Sequence, residues 1–260
     1  MSLRAPKGAW QSYRKVLRLL HFVRNDSFLT LFLAIKEEIR EVLISLEDVT
    51  LEGAVAIPSG AQGVVIFAHG SGSSRHSPRN NFVAKVLRKE GLATLLLDLL
   101  TGEEDQNYET RFNIHLLTTR LMGATQWLAD YLKPKRPAPS RSRSREYATG
   151  YFGASTGAAA ALDAAAKLGT KIGAVVSRGG RPDLARESLP HVKAPTLLIV
   201  GGDDLPVIGF NRMAFDLLKG EKELVMIPGA THLFEEPGTL EKAAELAAEW
   251  FCRYLTQDQR

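Results

Sequence analysis

The sequence has little cysteine and no long apolar run. Cys252 is the one cysteine among 260 residues, which excludes a disulfide within the chain and a metal site built from several cysteines. This usage fits a reducing compartment, and we expect a cytoplasmic protein. The apolar stretch from Phe28 to Ile35 is followed at once by Lys36-Glu37-Glu38. It is too short for a membrane span, and no small-residue cleavage site follows it as in a signal peptide.

The charge balance does not point to a charged partner. The formal net charge of +4 is small, and much of the excess comes from local clusters. One cluster is the loop Lys133–Glu146, which is rich in Pro, Ser and Arg and has no aromatic residue between its basic ones. Base stacking on single-stranded nucleic acid depends on such aromatic residues. We therefore expect a solvated connection and no nucleic-acid partner.

The length and the apolar content are sufficient for one large α/β domain. The chain has 260 residues, of which 45% are hydrophobic, and this is enough to bury a single sizeable core. Residues 1–38 carry apolar positions at helical spacing with basic residues between them. We expect an N-terminal helical extension there, packed on the domain rather than on a membrane surface. The main domain is expected to comprise residues 39–260.

From residue 39 onward, short apolar strands alternate with helical patterns. Ile39–Leu46 and Val49–Pro58 are predicted to pair as antiparallel strands. Gly63–Ala68 is apolar throughout, which is typical of a strand buried on both faces. Repeated βα units of this kind predict an α/β fold with a mostly parallel sheet and helices on both faces. The later predicted strands are Leu92–Leu99, the residues before Ser155, Ile172–Ser177, Thr196–Val200 and Glu223–Ile227. Two helices are predicted to begin near Pro78 and after Ser155. The other predicted helices are Thr110–Leu132, Pro182–Leu189, Gly209–Leu218 and Thr239–Leu255.

The stretch Gly153-Ala154-Ser155-Thr156-Gly157 joins a predicted strand to an Ala-rich helix. The pattern Gly-x-Ser-x-Gly at such a junction is the nucleophile elbow, a strained corner that holds the serine hydroxyl clear of the sheet. Gly153 and Gly157 are expected because a Cβ at either position would collide with the neighbouring strand or helix. The N-terminus of the next helix would direct its free N–H groups and its dipole toward a developing oxyanion.

A serine nucleophile needs a base within hydrogen-bond reach, and the base needs a carboxylate that fixes its tautomer. On an elbow of this type the partners follow in the chain order Ser, acid, His. Asp203 and Asp204 follow the predicted strand Thr196–Val200, and His232 follows the predicted strand Glu223–Ile227. The carboxyl ends of parallel strands form one ligand-binding edge. We therefore predict that Ser155, His232 and one of the two aspartates meet there.

The loop His69-Gly70-Ser71-Gly72 follows the predicted strand Gly63–Ala68. A loop at this place lends a backbone N–H to the oxyanion hole, together with the N–H of the residue after the nucleophile. We assign these two donors to the backbone of Ser71 and Thr156. His69 is interpreted as closing the loop structurally, because a triad has one base and His232 fills that role.

Four motifs together resemble the α/β-hydrolase superfamily, and in particular its dienelactone hydrolase-like branch: His69-Gly70-Ser71-Gly72, Gly153-Ala154-Ser155-Thr156-Gly157, Gly201-Gly202-Asp203-Asp204 and Gly229-Ala230-Thr231-His232. The resemblance extends from about residue 40 to the end, and it is strongest to a bacterial subgroup of which some members are fused to a phosphoribosyltransferase domain. It implies the α/β-hydrolase fold, no cofactor and no metal. The family's acid is the fourth residue of Gly-x-x-Asp, which implies Asp204. The founding dienelactone hydrolases use a cysteine nucleophile, and this sequence has Ser155 there.

The resemblance and the motifs together predict a serine hydrolase that cleaves a small-molecule ester, lactone or thioester through an acyl-enzyme. Two alternatives stay open. The chain could be a non-catalytic ligand-binding module, since the fold does not fix the function. It could also be a peptidase or an acyltransferase that uses the same triad.

Three arginines follow predicted strands at the same edge of the sheet. Arg75 lies in the loop after Gly63–Ala68, and Arg178 and Arg181 follow Ile172–Ser177. If they face the pocket, they would favour a substrate that carries a carboxylate or a phosphate. The alternative is that they tie loops together through backbone carbonyls and nearby carboxylates such as Asp183.

Overall fold

The structure is a computed structural model, and it describes residues 38–133 and 147–256. The predicted N-terminal extension therefore lies outside the described residues except for its last position, and the predicted loop lies outside them except for Lys133. The strands are β1 (Ile39–Ser45), β2 (Thr50–Ala56), β3 (Gly63–Ala68), β4 (Leu92–Leu97), β5 (Ala148–Ala154), β6 (Ile172–Arg178), β7 (Thr196–Gly201) and β8 (Lys222–Ile227). The helices are α1 (Pro78–Lys89), α2 (Ile114–Tyr131), α3 (Thr156–Leu168), α4 (Leu205–Leu217) and α5 (Thr239–Leu255).

The strands form one eight-stranded sheet in the order β1-β2-β4-β3-β5-β6-β7-β8. β2 pairs with β1 and with β4 in the antiparallel sense, and all pairs from β4 to β8 are parallel. The inner strands β3, β4 and β7 are buried along their whole length, as expected for strands covered on both faces. This arrangement confirms the predicted α/β fold with a mostly parallel sheet.

Helices cover both faces of the sheet, as predicted. Successive side chains of a strand point to opposite faces, so Ile66 of β3 packs in the core under α2 and α3, while Phe67 packs in the core under α1 and α5. The rings of Phe67 and Phe152, on the neighbouring strand β5, pack at a tilt of 37° with their centroids 4.9 Å apart. β5 is therefore fixed between two apolar layers.

Three predicted helices differ from the observed ones. The helix predicted over Thr110–Leu132 begins at Ile114, because the side chain of Asn113 caps it and Thr110–Phe112 form a separate 3₁₀ turn. The predicted helix Pro182–Leu189 is wrong, since the chain forms two short 3₁₀ turns at Pro182–Ala185 and Leu189–His191. A proline at 190 lacks the N–H that a continuing α-helix needs. The helix predicted from Gly209 begins earlier, at Leu205, because Asp204 stands at its N-cap and a proline occupies its first turn, where a missing N–H costs nothing.

No helix within residues 38–133 and 147–256 is long and apolar enough to cross a membrane.

Candidate active site

The corner between β5 and α3 has the backbone of a nucleophile elbow. Ser155 has φ 50° and ψ −121°, a combination that a non-glycine residue adopts only under strain. Its backbone is held from two sides, since its N–H lies 3.4 Å from the carbonyl of Arg178 and its own carbonyl accepts from the N–H of Arg181 at 3.0 Å. The strain is therefore supported by the neighbouring strand β6 and the loop that follows it.

The two flanking glycines are required by close packing. A Cβ on Gly153 would lie 2.4 Å from the Cα of Ala158, and a Cβ on Gly157 would lie 2.1 Å from the carbonyl oxygen of Ala68. Both distances are far below van der Waals contact, as the sequence predicted. The first turn of α3 can approach the ends of β3 and β5 only because these two side chains are absent.

Asp204 and His232 are brought together by the loops after β7 and β8. The Nδ1 atom of His232 lies 2.7 Å from Oδ2 of Asp204. An ionised carboxylate can only accept, so Nδ1 carries the proton and donates, and Nε2 is left as the basic nitrogen. The Asp204 side chain is 9% exposed and that of His232 is 38% exposed. The carboxylate is thus shielded from water while the imidazole edge stays accessible.

Of the two aspartates, only Asp204 contacts the histidine. Asp203 is exposed, and among the described residues its carboxylate has no hydrogen bond. Asp204 stands at the N-cap of α4 without a side-chain capping bond. Its carboxylate is therefore available to His232 alone.

The loop between β8 and α5, residues 228–238, contains His232 and is called the histidine loop. It packs directly against the segment after β6 that supports the backbone of Ser155. A Cβ on Gly179 would lie 3.1 Å from the carbonyl oxygen of His232, and Gly179 directly follows Arg178, whose carbonyl faces the Ser155 N–H. Within the described chain, the Ser155 hydroxyl makes no hydrogen bond to His232. Catalytic hydrogen bonds are often long in a ligand-free site and tighten when substrate binds.

The two residues assigned to the oxyanion hole are in contact with each other. The backbone N–H of Ser71 donates to the hydroxyl of Thr156 at 2.9 Å, and Thr156 is 2% exposed. Gly70 lies against Ser155, since a Cβ there would be 2.9 Å from the Cβ of Ser155. The Thr156 hydroxyl therefore holds the loop of Ser71 at the elbow. The Ser71 N–H, which the sequence assigned to the oxyanion hole, donates to this hydroxyl in the structure.

His69 closes the loop structurally, in agreement with its interpretation from the sequence. Its Nε2 accepts from the N–H of Leu99 at 3.1 Å, and its Nδ1 lies 2.9 Å from the carbonyl oxygen of Gly70. The first contact makes Nε2 the acceptor, so Nδ1 carries the proton and donates. Burial lowers the pKa of His69. It is therefore a neutral side chain that joins the end of β3 to the end of β4.

Arg75 is directed away from Ser155. Its guanidinium contacts Asp98 and lies 2.5 Å from Glu52 of β2 and 3.3 Å from Glu41 of β1. β2 and β5 are separated by β4 and β3, which corresponds to about 14 Å at the usual strand spacing. Arg75 thus ties the loop after β3 to the strands β1 and β2.

Arg181 also ties a loop. It forms a bidentate pair with Asp183, at 2.8 Å and 2.7 Å, and its guanidinium lies 4.7 Å from the ring centroid of Phe210. The first contact is within the segment after β6, and the second joins this segment to α4. Of the three arginines singled out in the sequence, only Arg178 has no carboxylate partner among the described residues.

The described residues contain no group of three or more His, Cys, Asp or Glu side chains that could hold a metal ion.

Two features of the site were not predicted. Phe234 has φ 57° although it is not glycine, and it is 1% exposed, so the histidine loop is strained and anchored by a buried ring. Arg111 is the second feature, since one of its terminal nitrogens would lie 3.5 Å from a Cβ on Gly72, in the loop after β3. Its position depends on a pair with Asp105, and no sequence motif marks it.

The sequence matches known proteins over most of its length. Residues 51–258 match the model of the dienelactone hydrolase family. Two curated relatives from two strains of Mycobacterium tuberculosis, both provisionally named phosphoribosyl transferase, are 52% identical over 215 residues. That alignment covers 83% of this chain and 46% of each relative, so the chain spans about half the length of the curated relatives that it matches.

Solved structures give the same result. The crystal structure of a dienelactone hydrolase from Anabaena variabilis is 54% identical, covers 85% of this chain and 99% of its own, and superposes with a TM-score of 0.77. An esterase from Pyrococcus furiosus, 20% identical over 84% of this chain and 92% of its own, has a TM-score of 0.66 and shares the fold. The chain belongs to the dienelactone hydrolase family, within the α/β-hydrolase superfamily.

Proposed function

We propose that this protein is a serine hydrolase that cleaves an ester, lactone or thioester bond through an acyl-enzyme formed on Ser155. The observation that carries the proposal is the 2.7 Å contact between Asp204 and His232, at the same edge of the sheet as the strained corner at Ser155. A carboxylate, an imidazole and a serine on an elbow are the three groups that acyl transfer to serine requires.

In the proposed mechanism the Ser155 hydroxyl attacks the carbonyl carbon while Nε2 of His232 takes its proton. Asp204 keeps Nδ1 protonated and stabilises the imidazolium that forms. The backbone N–H groups of Thr156 and Ser71 donate to the oxyanion, for which the Ser71 N–H leaves its present acceptor, the Thr156 hydroxyl. When the intermediate collapses, His232 returns the proton to the leaving alcohol or thiol. A water molecule, activated in the same way, then releases the acid and restores Ser155.

The test is hydrolysis of a short-chain p-nitrophenyl ester by the wild type and by Ser155→Ala. We expect kcat/KM to fall by at least about 10³-fold, because the covalent route is lost while the fold is kept. Ser73→Ala is the matched control, since this serine lies in the oxyanion loop without an elbow and its backbone N–H donates to Gly70. A Ser155→Ala variant that hydrolyses the ester as fast as the Ser73→Ala variant would refute the proposal.

A further inference from the structure

Asn211 is a buried polar side chain in the middle of α4. It is 0% exposed, and its Nδ2 atom donates to the carbonyl of Gly180 at 3.0 Å and to that of Val207 at 2.9 Å. Its Oδ1 atom has no hydrogen-bond partner within residues 38–133 and 147–256. A buried amide with an unmade hydrogen bond costs free energy, and asparagine is a poorer helix former than leucine. The stability of α4 therefore does not explain this residue.

The bond from Asn211 reaches the peptide group that supports the backbone of Ser155. The carbonyl of Gly180 and the N–H of Arg181 belong to one planar peptide unit. That carbonyl accepts from Nδ2 of Asn211, and that N–H donates to the carbonyl of Ser155 at 3.0 Å. Because the unit is planar, a side chain that fixes the direction of its carbonyl also fixes the direction of its N–H. Asn211 thus orients a donor that holds the strained corner at Ser155.

Close packing leaves the Gly180 peptide little freedom on its other side. A Cβ on Gly180 would lie 2.0 Å from Oγ of Ser177 and 2.7 Å from the Cβ of Ala158, and Ala158 belongs to the first turn of α3. The peptide is therefore pressed against the base of the elbow and hydrogen-bonded to α4. Its position is determined by these two contacts together.

The helix that carries Asn211 also begins at the acid of the candidate triad. Asp204 stands at the N-cap of α4, and its carboxylate contacts His232 at 2.7 Å. Asn211 lies seven residues later, which is two turns or about 10 Å along the helix axis, and residues seven apart share one face of a helix. α4 therefore connects the Asp204–His232 pair to the backbone support of Ser155.

We propose that Asn211 is a positioning residue for the reaction at Ser155, which keeps the elbow in place relative to the Asp204–His232 pair. The inference rests on the proposed function, because it takes Ser155 as the nucleophile. Asn211 is fully buried and acts through one peptide unit, so it has no contact with substrate. A displacement of about 1 Å at a reacting group can lower the rate about a hundredfold. Loss of the bond to Gly180 should therefore lower kcat and leave KM nearly unchanged.

Two variants of Asn211 remove the bond to Gly180. In Asn211→Ser the hydroxyl is too short to reach Gly180 and donates to the carbonyl of Val207, one turn earlier in the helix. Asn211→Leu lacks any donor but fills the space of the amide, so it repeats the test without the cavity that serine leaves. Both variants should show the same loss of kcat.

Asn81→Ser is the matched control. The Nδ2 atom of Asn81 makes the same two kinds of bond, to the carbonyl of Ser77 four residues earlier at 2.9 Å and to a loop carbonyl, that of Arg75, at 2.8 Å. Arg75 stays in place in this variant, because its own N–H donates to Asp98 at 2.6 Å. The control therefore loses a loop tie of the same chemistry that does not end at the support of Ser155.

The assay is hydrolysis of a p-nitrophenyl ester, with the reactive sites of each variant counted by the mass of the fluorophosphonate adduct. We expect both Asn211 variants to lower kcat per site by about ten- to a hundredfold, with KM within about twofold of the wild type. Asn81→Ser should change kcat per site by less than about threefold. A purely structural role for Asn211 would lower the Tm and leave kcat per site unchanged. That result, or an equal loss of kcat in Asn81→Ser, would overturn the proposal.

Hydrogen exchange at the Arg181 N–H separates this inference from the proposed function. The N–H donates to the Ser155 carbonyl, so its exchange should be at least about tenfold faster in Asn211→Ser than in the wild type or in Asn81→Ser. Unchanged protection of this N–H would overturn the inference, whether or not Ser155 is the nucleophile. Hydrolysis by the wild type that does not depend on Ser155 would instead contradict the proposed function, and the catalytic role of Asn211 would fail with it.

Discussion

Replacing Asp204 by asparagine is the sharpest test of how the candidate triad is arranged. The Oδ2 atom of Asp204 lies 2.7 Å from Nδ1 of His232, and the carboxylate is 9% exposed. An amide in this place carries no charge, and through its NH₂ group it favours the histidine tautomer with the proton on Nε2. Nε2 of His232 would then already carry a proton and could not accept the proton of the Ser155 hydroxyl.

The magnitude follows from the ion pair that forms during reaction. Two unit charges about 4 Å apart interact by about 4 kcal/mol at an effective dielectric constant of 20. His232 is 38% exposed, so solvent screening reduces this value, whereas loss of the correct tautomer increases the cost. A total of about 3–5 kcal/mol corresponds to a loss of roughly 10²–10⁴-fold in kcat.

The assay is steady-state hydrolysis of a p-nitrophenyl ester at pH 7–8, with Asp203→Asn as the matched control. Asp203 precedes Asp204 and is exposed, so its replacement changes the net charge equally and should alter kcat by less than about threefold. Thermal unfolding should show that both variants are folded. A larger loss in Asp203→Asn than in Asp204→Asn would refute the assignment of the acid.

Two further predictions concern the backbone around the site. Gly157→Ala places a Cβ 2.1 Å from the Ala68 carbonyl oxygen and should lower the free energy of unfolding by more than about 3 kcal/mol. Gly209→Ala, in an open part of α4, should raise the free energy of unfolding by about 0.5–1 kcal/mol. Urea denaturation measures both variants, and equal effects would contradict the close packing at Gly157. Burial lowers the pKa of His69 in the folded chain. Below about pH 6.5 the unfolded chain therefore binds a proton that the folded chain does not, and the free energy of unfolding decreases as the pH is lowered. His69→Gln can still accept from the Leu99 N–H and should make the Tm between pH 7.5 and pH 5 less dependent on pH; an unchanged slope would argue against this source.

Most of the fold follows from the sequence because the buried strands consist almost entirely of apolar residues. β3 and α5 have the predicted bounds, Gly63–Ala68 and Thr239–Leu255, since an unbroken apolar run and a strongly periodic helix leave little ambiguity. The segment between β6 and β7 was predicted as one helix and is two 3₁₀ turns. The segment is short, and the pattern that predicted a helix did not distinguish an α-helix from 3₁₀ turns.

The candidate site could be predicted as far as chain order determines it. His232 and Asp204 each follow a parallel strand, and parallel strands bring their carboxyl ends to one edge. The partners of the arginines could not be predicted in this way. Arg75, in the loop after β3, binds Glu52 on β2, which is not adjacent to β3, and the burial of Arg178 depends on the histidine loop above it. Such contacts are fixed by tertiary packing and leave no local pattern.

The most direct test of the central claim is to identify the residue that reacts with a fluorophosphonate probe. The wild type should gain the mass of one adduct, and peptide mass spectrometry should place the adduct on Ser155. Ser155→Ala should gain no mass under the same conditions, although its elbow keeps the flanking glycines and the first turn of α3. An adduct that persists in Ser155→Ala, or that maps to another serine of the wild type, would contradict the proposal that Ser155 is the nucleophile.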